Sequence, residues 1–471
     1  MHQLPIDPRN VFNTDFPELE IPPSSLNDYL DIPGVSQELI AQAQFAFSPC
    51  TDKLEEVREH AEAARSALAL IKRLNVDRTL STIETGAIRD LGNSLDSIQI
   101  KHDHWLLKHI ENVERPESEA LELGVALLCE ATRKKYPNIF DQEQAQTTAR
   151  KVNEHLIMAD RANHPTHGFD RNEGYVTAIR AGHINPFGEI TTVFQDRQFI
   201  RFDGGSNYGQ WAMFKAVNQA IRFMDDNDLN AAGFAISNMY HAGRIGDWAA
   251  MAARQGFIAN AVLTVGGAGR VAPFGRSGIA MGTNPIAKAI PFVPSPIVAD
   301  TTTAAEVEGM VRLAAKFNLK LPPGLIQTWD GKPSRDPEEL YHADPELRGS
   351  IVNLGGHRGF SLSAAAIIEN AVLNARPVAR KLVAGENEVS MQLIRLEAVV
   401  DKALVDQHIR ELNNLLNSAY PQDAPTVFLP GLHGYEAARP YRERGTVPIA
   451  QVTWDRLCDL RANPDRNLFA V

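Results

Sequence analysis

The spacing of apolar positions changes along this chain, and the changes divide it. Residues 1 to about 53 are rich in Pro, Asp and Asn and hold no sustained period, which predicts an irregular arm with room for one short helix. From Leu54 the pattern becomes helical. Val57, Ala61, Ala64, Leu68 and Ile71 recur at spacings of three and four, a stripe that ends near Asn75 and reads as packing surface. Two further helical stretches are expected, from about Ile98 to Val113 and from about Glu117 to Lys135, with Tyr136-Pro137-Asn138 closing the run. Residues 1–138 are therefore expected to form a helical N-terminal unit.

Asp141 opens another helix, because its carboxylate can cap the first turn with Gln144 three residues on. Ala145, Ala149, Val152, Leu156 and Ala159 make its apolar face, and it must stop before Pro165. Thr191 to Phe194 and Phe199 to Phe202 alternate around Gln195-Asp196-Arg197, which predicts a hairpin. Helical and strand patterns alternate from there to about residue 300, the mark of an α/β fold. Thr303 and Glu306 have capping-box spacing ahead of Val307, Met310, Val311 and Ala314. Gly355-Gly356-His357-Arg358-Gly359 leads into a last apolar helix, Phe360 to Leu373.

The chain has 471 residues, 44% hydrophobic and 22% charged, which is ordinary globular composition with room for several domains. Its net charge of −11 opposes nucleic acid as a partner and means that an anionic ligand needs a local cationic pocket. Cys50, Cys129 and Cys458 have neither metal nor redox spacing. The opening MHQLPIDPRN lacks the apolar centre of a secretory leader, and no run approaches the length of a membrane span. A cytoplasmic protein without membrane contact is expected. His102, His104 and His109 invite a metal reading, but 104 leaves the helix face that 102 and 109 share, so no metal is expected.

Candidate chemistry clusters in four places. His164-Pro165-Thr166-His167 with Arg171 packs two imidazoles, a hydroxyl and a guanidinium just past a helix end. His167 suits proton transfer near neutral pH and Arg171 suits a carboxylate, although a polar loop that only satisfies backbone groups would use the same residue types. His241, Gly243, Arg244 and Gly246 form a second loop, which could equally cap the helix beginning near Asp247. Asp300 ends an apolar run, where it can orient an imidazolium or simply cap a turn. The glycines at 355, 356 and 359 can seat a pyrophosphate or form a tight turn. Gly267-Ala268-Gly269-Arg270-Val271-Ala272 fits G-x-G-x-x-A, but Pro273 and Gly275 oppose the helix that a Rossmann turn requires. A glycine-rich loop lining a site is expected there instead.

Together these boxes resemble the type 2 malate/L-lactate dehydrogenase family, which also holds ureidoglycolate and sulfolactate dehydrogenases and piperideine-2-carboxylate reductases. The resemblance runs from about Asp141 to Arg466. It is carried in order by Asn163 to Gly168 with Arg171 and Tyr175, Gly182 to Pro186, Asp203 to Gly209, the His241 loop, Val271-Ala-Pro, Gly282-Thr283-Asn284-Pro285, Asp300, Leu354 to Gly359, and Leu429-Pro-Gly. It implies a non-Rossmann, mixed-sheet NAD(P)-binding domain of that kind over 210–354. It also implies a substrate and dimerisation domain over 139–209 and 355–471. NAD or NADP is the implied cofactor, a small carboxylate the substrate, and a homodimer or higher homo-oligomer the assembly. His167 is the implied acid/base, although some relatives give that role to the histidine matching His241. Thr166 is then the relay hydroxyl, Asp300 the orienting carboxylate and Arg171 the carboxylate anchor. His241, Gly243, Arg244, Gly246, Gly282, Thr283, Asn284, Gly355, Gly356, His357 and Arg358 are implied cofactor contacts. Thr166 stands where the family has Ser, Pro165 where it has Asp, and Lys288 where it has an apolar residue. The activity so implied is an NAD(P)-dependent 2-hydroxy-acid dehydrogenase, or 2-oxo-acid reductase in reverse. The alternatives are an NADPH-dependent cyclic imine reductase and a catalytically silent cofactor-binding scaffold.

Overall fold

The computed structural model describes residues 36–47, 54–74, 89, 91–96, 99, 103, 112–266, 269–378, 385–419 and 426–465. Residues 1–35 and 48–53 of the arm expected over 1 to about 53, most of the helix expected from Ile98, the histidines at 102, 104 and 109, and Gly267-Ala268 lie outside them. The chain divides into two compact units. One comprises 1–110, 311–325 and 334–338, and the other comprises 111–310, 326–333 and 339–471.

Between residues 37 and 103 the described residues of the first unit are all helical. Helices α1 (Gln37–Phe47) and α2 (Leu54–Leu74) pack through Leu39, Ile40, Ala43, Ala64, Ala67 and Ile71, and Leu91 and Leu95 complete this core. The small alanines let the two backbones approach closely, as the stripe predicted. Asp103 is buried and receives Arg65 Nη1 at 2.9 Å, Gln99 Nε2 at 3.2 Å and the Lys320 N–H at 3.1 Å. Arg335 Nη1 reaches Asp96 at 2.7 Å. These bonds tie the later segments 311–325 and 334–338 into the unit.

The second unit holds a helical core and a sheet core. Strand β1 (Asn112–Pro116) leads into α3 (Glu117–Lys135), α4 (Gln142–Arg161) and α5 (Arg171–Ala181). The helix expected to end at Val113 is corrected at that end. Val113 lies in β1 and pairs with Ile449 of β9 (Thr446–Ala450), so a β ladder overrides the helical spacing. After β9 the chain continues as α12 (Gln451–Ala462). Leu128, Val152, Leu156, Tyr175, Ile179, Val447 and Leu457 fill the core between these elements.

Seven strands form one mixed sheet. They are β2 (Thr191–Gln195), β3 (Phe199–Asp203), β4 (Ala231–Met239), β5 (Phe257–Val265), β6 (Ile286–Ile290), β7 (Ile297–Thr301) and β8 (Asn387–Arg395), in the order β2-β3-β4-β8-β5-β6-β7. Only the β3/β4 pair is parallel, bridged by α6 (Gly209–Asp226). The predicted hairpin is β2/β3, with Thr191 opposite Asp203. Alternate residues of β5, Phe257, Ala259, Ala261 and Leu263, turn inward against α6 and α7 (Ile245–Arg254).

Among the described residues no helix opens between β5 and β6. The chain passes through an isolated bridge from Val271 to Met281 and next becomes regular as strand β6, so the fold is not Rossmann. The capping-box expectation at Thr303 is also corrected, because helix α8 spans Glu308–Lys316. Thr303 cannot cap it, since its N–H and hydroxyl both go to the Thr283 carbonyl, at 3.0 and 2.9 Å. Later helices are α9 (His357–Leu373), α10 (Lys402–Asn417) and α11 (Leu432–Arg444). Among the described residues no helix is long and apolar enough to cross a membrane.

Candidate active site

The first histidine loop is built off the end of α4. Asp141 caps that helix by accepting the Gln144 N–H at 2.7 Å. Beyond its last turn Asn163 adopts φ 61°, and Pro165–His167 form a single 3₁₀ turn. Pro165 occupies the first helical position, where its fixed φ is favourable and its missing N–H costs nothing. That accounts for a proline beside the candidate acid/base. The Thr166 hydroxyl lies 3.1 Å from His167 Nδ1, and Arg171 Nε donates to the Thr166 carbonyl at 2.8 Å. A Cβ on Gly309, in the first turn of α8, would stand 2.7 Å from Thr166 Cβ and 3.3 Å from its methyl, so a glycine there leaves room for threonine. Burial, then the positive field of Arg171, with His164 and Arg244 also near, pushes His167 well below the usual imidazole value. Its resting form is neutral. Burial and Arg244 also lower His164, while Asp247 opposes the shift.

The second loop connects β4 to α7. Tyr175 OH lies 2.8 Å from His241 Nδ1 and receives Gln210 Nε2 at 2.5 Å. Ala242 is held at both backbone groups. Its N–H donates to Asn387 Oδ1 at 2.9 Å, and its carbonyl accepts Trp248 Nε1 at 2.8 Å. Gly243 takes φ 74°, a left-handed conformation that favours glycine. The Gly246 N–H, in the first turn of α7, donates to Asp300 Oδ2 at 2.9 Å. Asp300 stands on β7, whose Val298 N–H donates to the Pro430 carbonyl of the Leu429-Pro-Gly box at 2.9 Å. That box therefore braces the strand carrying Asp300.

Charges around α7 are arranged in series. Arg244 Nη2 is 3.6 Å from Asp247 Oδ1, and His155 Nε2 is 3.1 Å from Asp247 Oδ2. Burial raises Asp247, but Arg244 and His155 outweigh it and hold that carboxyl well below its ordinary range. Asp300 is open to solvent by area yet lies deep among protein groups. That partial desolvation lifts its pKa against the pull of Arg244 and the Gly246 N–H.

The fold brings the two loops together. The rings of His167 and His241 stack with centroids 5.8 Å apart and planes 20° from parallel. Each has Nδ1 beside a hydroxyl, Thr166 for one and Tyr175 for the other. Asp300 joins them only indirectly. Among the described residues its hydrogen bond goes to the start of α7 and not to an imidazole.

The glycine boxes divide by what their side chains do. Asn284 is fully buried at φ 35°, accepting the Val265 N–H at 3.0 Å and donating to Ser363 Oγ at 2.9 Å. It pins the end of β5 to α9, and its side chain is spent on that. The Thr283 carbonyl likewise accepts from Thr302 and Thr303. A Cβ on Gly282 would stand 2.7 Å from Val265 Cβ. Gly355 and Gly356 take φ 57° and 65° and lead into α9, whose start no side chain caps and whose first turn holds Arg358 and no acid. A helix start without a side-chain cap and with a guanidinium beside it suits a dinucleotide phosphate. Phe274 lies edge-on to His357 at 6.0 Å and borders this end.

Sequence reasoning missed Tyr175 as the partner of His241, and with it Gln210, Asn387, Trp248, Asp247, His155 and Asp160. Only Tyr175, four residues after Arg171 in the first box, and Asp247, at a helix start, carried a local signal.

The comparisons match this architecture. The malate/L-lactate dehydrogenase family model covers residues 133–458. Hydroxycarboxylate dehydrogenase B of Escherichia coli is 25% identical over 66% of this chain and 86% of its own. The malate/(S)-sulfolactate dehydrogenase of Methanothermus fervidus is 31% identical over 47% of this chain and 61% of its own. In structure, a putative malate/lactate dehydrogenase from E. coli superposes with TM-score 0.65 at 23% identity, covering 74% of this chain and 95% of that one. The delta1-piperideine-2-carboxylate reductase of Pseudomonas syringae does so with TM-score 0.60 at 22% identity, over 74% and 99%. With the family model spanning more than half its length, the chain belongs to the malate/L-lactate dehydrogenase family of oxidoreductases, preceded by an N-terminal part outside the match.

Proposed function

We propose that the protein is an NAD(P)-dependent dehydrogenase of a small 2-hydroxy acid, acting in reverse as a 2-oxo-acid reductase. The observation that carries this reading is the stacked pair of His167 and His241, each tied at Nδ1 to a hydroxyl, with Arg171 and Arg244 close enough to depress His167. When bound, the dinucleotide supplies or takes the hydride at C2. Neutral His167 takes the proton from the C2 hydroxyl during oxidation and returns it to the C2 oxygen during reduction. The Thr166 hydroxyl holds its Nδ1 side. Arg171, braced against the Thr166 carbonyl, takes the substrate carboxylate. His241 faces the same space and is kept in place by Tyr175. Asp300 orients Arg244 and the start of α7.

The dinucleotide belongs to 210–354, with Gly243, Arg244, Gly246 and the 282–284 box shaping its seat. The uncapped start of α9, with Gly355, Gly356, His357 and Arg358, takes phosphate. Segments 139–209 and 355–471 supply the substrate side and the dimer contact. Apolar side chains support a second copy as partner: Leu404, Leu412, Leu415 and Leu416 on α10 are exposed, as are Leu362, Ile368 and Val372 on α9.

The test is an activity matrix on purified protein. NADH and NADPH are crossed with pyruvate, oxaloacetate and piperideine-2-carboxylate. Oxidation of either cofactor with a 2-oxo acid is expected. Turnover of the imine alone would move the assignment to imine reduction, and no turnover despite cofactor binding would move it to a silent scaffold.

A further inference from the structure

The two imidazoles come from loops that meet neither in sequence nor through a shared hydrogen bond. Something must hold their spacing to a fraction of an ångström for both to act on one ligand. Helix α4 touches both loops, through two buried polar side chains five residues apart, His155 and Asp160.

Asp160 lies under the first loop. It accepts the Phe169 N–H at 2.7 Å, two residues beyond His167. A Cβ built on Gly168 would stand 1.9 Å from Asp160 Oδ1 and 2.3 Å from its carboxyl carbon. The carboxyl thus occupies the space that any side chain at 168 would need. His155 lies under the second loop. A Cβ on Gly243 would stand 2.2 Å from His155 Cε1, and the ring stacks on Trp248 at 4.9 Å and 6°. Trp248 in turn grips the Ala242 carbonyl, beside His241. On its other side His155 meets Asp247 in the first turn of α7.

Each candidate loop therefore carries a glycine pressed onto one polar side chain of the same helix. We propose that α4 is the template that sets the distance between His167 and His241, with Asp160 and His155 as positioning residues acting through Gly168 and Gly243. Neither meets the substrate; each transmits the rigid geometry of α4 to a loop. The proposal rests on the reading of His167 and His241 as the site's working pair, and it adds what keeps them in register.

Size exchange tests it. Kinetics with NADH or NADPH and the more active of pyruvate and oxaloacetate are measured for Gly168→Ala and Gly243→Ala. The same is done for the doubles Asp160→Ala/Gly168→Ala and His155→Ala/Gly243→Ala, and for Asp160→Asn. Misplacement of an imidazole by about 1 Å lowers kcat roughly 10- to 100-fold. Gly168→Ala is expected to show such a loss with dinucleotide affinity by fluorescence titration little changed, and Gly243→Ala to show it together with weaker dinucleotide binding, because Gly243 also shapes that seat. The Asp160→Ala/Gly168→Ala double is expected to recover at least part of that loss, because the cavity left at 160 receives the added methyl, whereas His155→Ala/Gly243→Ala recovers only the share due to the His155 contact, since φ 74° at 243 stays strained for alanine. Asp160→Asn, which keeps the shape and still accepts the Phe169 N–H, is expected to keep kcat within a few fold. Glycine variants as active as the parent, doubles whose losses simply add, or an Asp160→Asn enzyme as impaired as the glycine variants would overturn the proposal. If the alanine doubles do not fold, the Gly168→Ala and Asp160→Asn pair decides alone. His167→Ala separates the two layers. If it turns over normally, the reading of the site fails; if it is inactive while the exchanges show no coupling, only the template fails.

Discussion

The two histidine loops solve one problem by different means. The loop of His167 is local. Asn163 reverses the chain, Pro165 starts the turn, Thr166 meets the imidazole, and Arg171 closes on the Thr166 carbonyl, all within nine residues of one another. The loop of His241 is assembled from afar. Its ring is tied to Tyr175 on α5, its backbone to Asn387 on β8 and Trp248 on α7, and its helix start to Asp300 on β7. A locally encoded loop keeps its internal geometry whenever α4 ends correctly. A loop held by distant elements has its geometry only when the whole second unit is folded. The first suits a group whose protonation must be set closely, and the second a surface that shapes itself around a larger ligand.

The difference can be sharpened by substitution, and the largest effect is expected at the ring proposed to transfer the proton. His167→Ala should lower kcat about 10²- to 10⁴-fold, the usual worth of a positioned acid/base, with dinucleotide affinity within a few fold. Stopped-flow turnover with separate fluorescence titration reads both. A variant at parental rate would shift the role to His241. Arg171→Lys keeps the charge and loses the fork, so it is expected to raise KM for the 2-oxo acid about 10-fold or more, a loss typical of charge-assisted bonds. An unchanged KM would point to Arg244 as the carboxylate anchor. Tyr175→Phe strips a hydroxyl from His241 and leaves Gln210 without its partner. About 1–3 kcal/mol is at stake, with kcat/KM expected to fall while the His167 side is untouched. The sign to look for is a loss in dinucleotide affinity larger than the loss in kcat.

The same contrast explains what the sequence made legible. The first loop could be read because its partners are neighbours: hydroxyl, imidazole and guanidinium fall within one short stretch, and Asp141 marks the start of the helix that presents them. The absence of a Rossmann turn was also legible, because Pro273 and Gly275 act on the backbone locally. The second loop was legible only as glycines around a histidine. Its partners lie on other elements, and nothing in spacing links Asn387 or Gln210 to position 241. Asp300 was placed at the right strand end, but its hydrogen bond to Gly246 in place of an imidazole is set by how α7 abuts β7. The failed capping box at Thr303 has the same origin, since the Thr283 carbonyl takes the hydroxyl that a cap would need. Val113 shows tertiary pairing overriding helical spacing, because its partner Ile449 is far away in the chain.

A neutral His167 is proposed to accept the substrate proton. Oxidation of a 2-hydroxy acid requires that neutral form, and burial with Arg171 holds the ring's pKa below its ordinary 6.5. The neutral fraction is then complete above that value and is lost only as pH falls through the lowered pKa. The direct measurement is kcat/KM for malate or lactate oxidation against pH, which reports the free enzyme. A plateau is expected to persist below pH 6.5 before the acid limb begins, and that limb is expected to be lost in His167→Ala. An acid limb centred above that value in the parent enzyme, or the same limb surviving in His167→Ala, would contradict it.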